Sequence, residues 1–213
     1  RTLVFGVVQS GTLSIDEMRR AVMRVFRPGD ELQCTVSRMG VTRTFTAYCR
    51  DFKASNVNVY TTPTFTVTLV SESPYLSGET VSASAALRDD KRALLTLPPS
   101  VCDARRVGFA VMFRVTGVRS ISIERVSTPT STSGTAIATS STTYDFGGII
   151  QLDTRTVPFS VVSIQISPSA SSSYLTIEPR FTNYILVTAK DSSGAIVAPV
   201  SCQAAYTPLF LGI

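Results

Sequence analysis

Between residues 31 and 49 hydrophobic and polar positions alternate. Leu32, Cys34 and Val36 are interleaved with Gln33, Thr35 and Ser37, and Phe45, Ala47 and Cys49 with Thr44, Thr46 and Tyr48. A period of two marks half-buried strands, and Arg38-Met39-Gly40 between the runs predicts a hairpin. A third alternating run, Phe65, Val67 and Leu69, follows Pro63. Upstream the period changes. Ile15, Met18, Val22 and Val25 recur at helical spacing with Phe26 at their edge, and Arg19, Arg20 and Arg24 cover the rest of the surface. Ser14 and Glu17 have capping-box spacing, and Pro28-Gly29 is a stop. A helix is therefore predicted over 14–27, with one side packed on a sheet. The first ten residues, with Leu3, Val4, Phe5, Val7 and Val8, read as a strand.

After Gly78 the pattern is all strand-like. Runs at 81–87, 108–115, 118–126, 147–152, 158–166, 173–178, 184–189 and 195–206 are separated by turn residues such as Asp191-Ser192-Ser193-Gly194. Many short strands at this spacing predict a β-sandwich. Residues 127–143 are almost all Ser, Thr, Ala, Gly and Pro, and read as a mobile loop or extended arm. The expected organisation is mainly β with an α+β N-terminal part: a sheet domain with one packed helix over 1–80, then a β-sandwich over 81–213.

Composition narrows the function. Only 16% of the 213 residues are charged while 44% are hydrophobic, against roughly 25% charged in an average soluble domain. A surface this poor in charge suits a subunit covered by neighbours. The net charge of +5 is not gathered into a basic patch interleaved with aromatics, so no specific nucleic-acid site is expected. The densest basic group, Arg19, Arg20, Arg24 and Arg27, lies beside Asp16 and Glu17 and reads as the solvated or partner-facing side of the helix. The chain has no His, which removes Ser-His-Asp and Cys-His nucleophile systems and imidazole bases. The carboxylates are thinly spread. Their one adjacent pair, Asp89-Asp90, sits in the alternating-charge run 88–92, read as a surface loop. Cys34, Cys49, Cys102 and Cys202 lack ligand spacing and read as small buried hydrophobes in a reducing compartment. No catalytic site, metal, cofactor or membrane anchor is expected. The chain opens at Arg1 rather than Met, and residues before it are expected to be missing.

One ordered set of signals resembles a known family. A strand leads into Ile15-Asp16-Glu17-Met18-Arg19-Arg20 opening a helix, which closes at Phe26-Arg27-Pro28-Gly29. Glu31-Leu32 then opens a hairpin, and Phe65-Thr66-Val67-Thr68-Leu69 leads to Ser73-Pro74-Tyr75-Leu76. Over Thr2 to Gly78 this resembles the N-terminal domain of the siphophage distal tail proteins (Dit). In the second half, residues 147–154 are a local echo of that family's galectin-like β-sandwich. The resemblance implies a structural virion protein of the tail tip or baseplate, assembled in the host cytoplasm and residing in the virion tail. It implies a homohexameric ring around the channel below the tail tube, in contact with the tail tube protein, the tail-tip hub protein and receptor-binding proteins. Within it the N-terminal domain carries self-assembly, with Arg19, Arg20 and Arg24 as candidate interface residues. The alternative is a carbohydrate-binding or adhesin module, for which Tyr144, Tyr174, Tyr184 and Tyr206 would offer stacking surfaces.

Overall fold

Alternation is realised as a sheet in the first part of the chain. The computed structural model describes residues 2–6, 14–54, 64–155, 162–164, 166–168 and 176–211. The expectations for Val7 and Val8, Tyr174 and much of the runs 158–166 and 173–178 lie outside them. Two compact units divide the chain, Arg1–Leu76 and Ser77–Gly212.

The first unit contains β1 (Thr2–Gly6), α1 (Ile15–Val25), β2 (Glu31–Arg38), β3 (Val41–Ala54) and β4 (Thr64–Val70); β5 (Leu76–Ser77) lies at the division. Its strands are antiparallel in the order β1-β4-β3-β2, with Phe5 opposite Phe65, Cys49 opposite Leu69 and Leu32 opposite Ala47. A register shift between Cys49 and Asp51 marks a bulge in β3. Phe45, Ala47, Cys49, Val67, Leu69 and Leu76 form one core cluster, joined at its edge by Phe26, Leu32, Cys34 and Val36. The intervening Thr, Gln and Ser residues face outward, where Gln33 Nε2 donates to Thr46 Oγ1 at 3.0 Å.

The helix begins as the capping box requires. The Glu17 backbone N–H donates to Ser14 Oγ, and the Ser14 backbone N–H donates to Glu17 Oε2 at 2.8 Å. Met18 is buried and Val22 half-buried, but Val25 is 56% exposed. The expectation that Val25 belongs to the buried stripe is therefore corrected. The helix ends at Val25, and Phe26, in a non-helical cap conformation, packs on the core instead. Gly29, at φ 91°, then turns the chain so that its N–H reaches the Cys49 carbonyl at 2.8 Å.

In the second unit lie β6 (Val81–Ser84), β7 (Ala86–Leu87), β8 (Ala93–Leu97), β9 (Val107–Val126), β10 (Thr135–Asp153), β11 (Val162–Ile164), β12 (Ser167–Pro168), β13 (Thr176–Ile177), β14 (Asn183–Lys190), β15 (Ile196–Val197), β16 (Ser201–Tyr206) and β17 (Leu209–Phe210). The runs 108–115 and 118–126 fuse into the single strand β9, which turns through Gly117 at φ 66°. A long hairpin of β9 and β10, bulged near Phe146 and Gly148, thus serves two sheet arms. One arm runs β6-β16-β9-β10-β11 over the first half of β9; the other runs β7-β8-β14-β9-β10 over the second half. The arrangement is sandwich-like. Phe109, Val111, Phe113, Leu95, Ile123, Ile150, Leu152, Ile185 and Tyr206 are all buried.

Residues 127–143 are not one loop. From Thr135 onward they form the first half of β10, with Thr135 opposite Arg125 and Thr139 opposite Ser122. The physical reason is that Thr is β-branched and favours strands, and that Ile137 and Ala138, both fully buried, suffice to anchor the segment. Serine and threonine mark an outward strand face here rather than a chain without structure.

Candidate assembly surfaces

The arginines singled out from the sequence sit on α1 as follows. Arg20 and Arg24, four residues apart, are exposed on one face, with Arg27 just beyond the helix end. Arg19 is half-buried on an adjacent face. None of Arg19, Arg20 and Arg24 has an ion pair or hydrogen bond among the described residues. The helix offers two carboxylates in its first turn, and Glu17 is committed to the cap. Hydrogen bonds from the Ser14 backbone and hydroxyl hold the Glu17 carboxyl below its usual pKa. The last two turns are left cationic, and Met23, 48% exposed, and Val25 add apolar surface among the guanidiniums.

A second arginine group escaped the sequence reading. The run 88–92, read as a surface loop, is a turn with Asp89 and Lys91 exposed, but its arginines also reach across: Arg88 Nη1 donates to the Ser131 carbonyl at 2.6 Å and to the Pro129 carbonyl at 3.2 Å. Arg92 Nη1 donates to the Thr132 carbonyl at 2.7 Å. Asp90 Oδ2 lies 3.4 Å from both guanidiniums and aligns them. Two side chains thereby clasp the connection between β9 and β10, which adds its own Thr128–Ser131 hydroxyl contact at 2.8 Å. This segment was expected to be mobile and is instead braced. The signal was present in the sequence as five consecutive charged residues, but the partners are backbone carbonyls some forty residues away, and a carbonyl leaves no trace in side-chain identity.

Other carboxylates are tied up in local structure. Asp153 pairs with Arg155 at 2.7 Å, Asp145 with Arg119 at 2.6 Å and Glu178 with Arg106 at 3.6 Å, while Asp191 caps the turn at Ser193 and Ala195. Among the described residues no group of three or more His, Cys, Asp or Glu side chains could hold a metal. Cys49 and Cys102 are buried, Cys34 and Cys202 half-buried, and burial pushes the Cys202 thiol up to about 12. No described helix is long and apolar enough to cross a membrane. Of the tyrosines, Tyr206 is wholly buried, with its hydroxyl donating to the Pro98 carbonyl at 2.7 Å, so it presents no stacking face. Tyr184 is half-buried and packs on the cluster of Leu94, Val126 and Leu186. Tyr144 alone of the three described is exposed.

No protein family and no curated protein matches the sequence. The fold does have a solved counterpart. The structure in question is the crystal structure of the SPP1 Dit (gp 19.1) protein, described as a paradigm of the hub adsorption apparatus in Gram-positive infecting phages. The match covers 99% of this chain and 78% of that one, with a TM-score of 0.54 at 12% identity. The likeness is one of fold, and it agrees with the fold that the ordered signals of residues 2–78 implied.

Proposed function

We propose that the chain is a structural subunit of a phage tail tip. The observation that carries this reading is the extent of the shared fold: nearly every residue falls within the match to a hub protein, across both units. A fold alone does not fix a function, but three features of this chain agree with the reading. Its charged fraction is low, several of its carboxylates are held in local ion pairs and turns, and one short helix displays three arginines that have no ion pair among the described residues.

In this proposal the chain forms a ring, of six copies by analogy, between the tail tube and the tail-tip hub, and carries receptor-binding proteins at its periphery. It acts without catalysis, in the virion tail after assembly in the host cytoplasm. A ring requires two different surfaces of one chain to be complementary, since each copy contacts its neighbours through heterologous faces. The surface of Arg19, Arg20 and Arg24 is one of the two. Carboxylates of the next copy, such as Asp30 and Glu31 at the start of β2, supply the opposite charge. Native mass spectrometry of the purified chain tests the proposal: it predicts a discrete closed oligomer, and a monomer at micromolar concentration would reject it.

A further inference from the structure

The outward face of the first sheet arm carries a cleft that the assembly reading does not use. Strand register builds it row by row. Ser84, Gln203, Met112 and Gln151 lie side by side across β6, β16, β9 and β10. One step along the same face, Ser82, Ala205, Ala110 and Asp153 form the next row. Residues paired across a sheet share a face, so large side chains in the first row stand over small ones in the second. The resulting hollow has a volume of about 250 Å³ and is lined by Ser82, Ala110, Met112, Gln151, Gln203 and Arg155 among others.

Its chemistry is specific. Neither the Gln151 nor the Gln203 amide has a hydrogen-bond partner among the described residues, so each offers two donors and an acceptor to the hollow. At one end Arg155 is clamped on Asp153 through Nε and Nη2, at 3.1 Å to Oδ1 and 2.7 Å to Oδ2. That contact holds both groups charged: it lowers the Asp153 carboxyl and raises the Arg155 guanidinium. The ion pair is neutral as a unit, and its outer lone pairs and N–H groups remain polar. The floor is two alanine methyls and a serine. A ligand that fits must be small, uncharged, rich in paired donor-acceptor groups and apolar on one face.

We infer that this cleft binds a single neutral sugar ring, with the Gln151 and Gln203 amides bridging adjacent hydroxyls and the ring's C–H face resting on Ala110 and Ala205. A planar amide matches a vicinal diol because its donor and acceptor are spaced like the two hydroxyls. A charged ligand finds no net opposite charge in neutral amides and a self-compensated ion pair, so its desolvation is not offset. A protein strand is disfavoured as occupant because a hollow of about 250 Å³ holds one ring rather than an extended chain. The floor has no aromatic ring, which removes the strongest sugar-stacking contribution and places the affinity of one site in the millimolar range. An oligomer displaying several such sites would multiply the avidity without any new contact.

Saturation-transfer-difference NMR on the full chain, in whatever assembly it forms, tests this with glucose, galactose, rhamnose and N-acetylglucosamine, and with glucuronate as the charged comparator. The expected result is transfer to at least one neutral sugar at millimolar concentration. It is lost both in Gln151→Ala/Gln203→Ala, which removes the amides, and in Ala205→Leu, which fills the floor from the solvent side, while melting temperature and native mass stay those of the wild type. Absence of transfer from every sugar overturns the inference. So does transfer that survives both variants, or transfer to glucuronate alone. If both variants instead break the oligomer while leaving the fold intact, the face is an interface between copies and the sugar site is rejected. Because native mass is read separately, a monomeric chain that still binds sugar would reject the ring and keep the cleft.

Discussion

Met39 occupies a position that its side chain disfavours. It and Gly40 are the two central residues of the β2–β3 turn, and both have positive φ, 50° and 78°. This is the backbone of a type I′ hairpin, whose first position favours Asn, Asp or Gly because a larger L side chain meets the carbonyl in the left-handed region. Met39 is also almost fully exposed, so it gains no burial in return. Met39→Asn should therefore stabilise the first unit by about 0.5–1 kcal/mol, read as a higher urea midpoint with unchanged slope. The opposite sign is expected at the helix start. Ser14→Ala removes the hydroxyl that accepts from Glu17 N–H and should cost about 1 kcal/mol. A third test lies in the second unit. The Thr154 hydroxyl is buried, accepts from Phe109 N–H at 2.9 Å and donates to the Phe109 carbonyl at 3.0 Å. Thr154→Val keeps the shape and leaves that N–H without its acceptor, a loss of roughly 1–3 kcal/mol by denaturant titration.

At the scale of elements, the legible parts were those whose stabilising partners are close in sequence. The capping box, the stop at Pro28-Gly29 and the β2–β3 hairpin depend on neighbours within about a dozen residues, and residue type records them directly. Val25 was misplaced because helical spacing says which residues share a face, not where the sheet beneath that face ends. The stretch 127–143 was misread because two anchoring residues, Ile137 and Ala138, are too few to overcome a polar average, although strand pairing needs only backbone and one buried side. The Arg88–Arg92 clasp was not visible because its acceptors are carbonyls. The clasp makes its own prediction. In Arg88→Ala/Arg92→Ala, hydrogen exchange should rise at residues 127–134 and not in β14 or β16, because the brace is lost while the sheet remains paired. Uniform exchange across the second unit would show that the clasp supports the whole sheet rather than one connection. Deletion of 127–143 would remove half of β10 and with it the partner of the second half of β9.

For the whole molecule, the sequence indicated the class of fold through the order of its signals, and the shared architecture over 99% of the chain supports that reading. Neither speaks directly to assembly. The proposed contact is the cationic surface of α1, where guanidiniums without an ion pair among the described residues lie beside exposed Met23 and Val25 and combine charge with apolar area. If that surface holds neighbours together, the wild-type oligomer should loosen as salt rises, since exposed ion pairs are screened over about 10 Å at 0.1 M. The most direct measurement is native mass spectrometry of wild type beside Arg19→Glu/Arg20→Glu/Arg24→Glu, with circular dichroism to confirm that both are folded. The account predicts one closed oligomer for the wild type and smaller species for the folded variant; an oligomer of unchanged mass in the variant, or a wild type that is monomeric throughout, would contradict it.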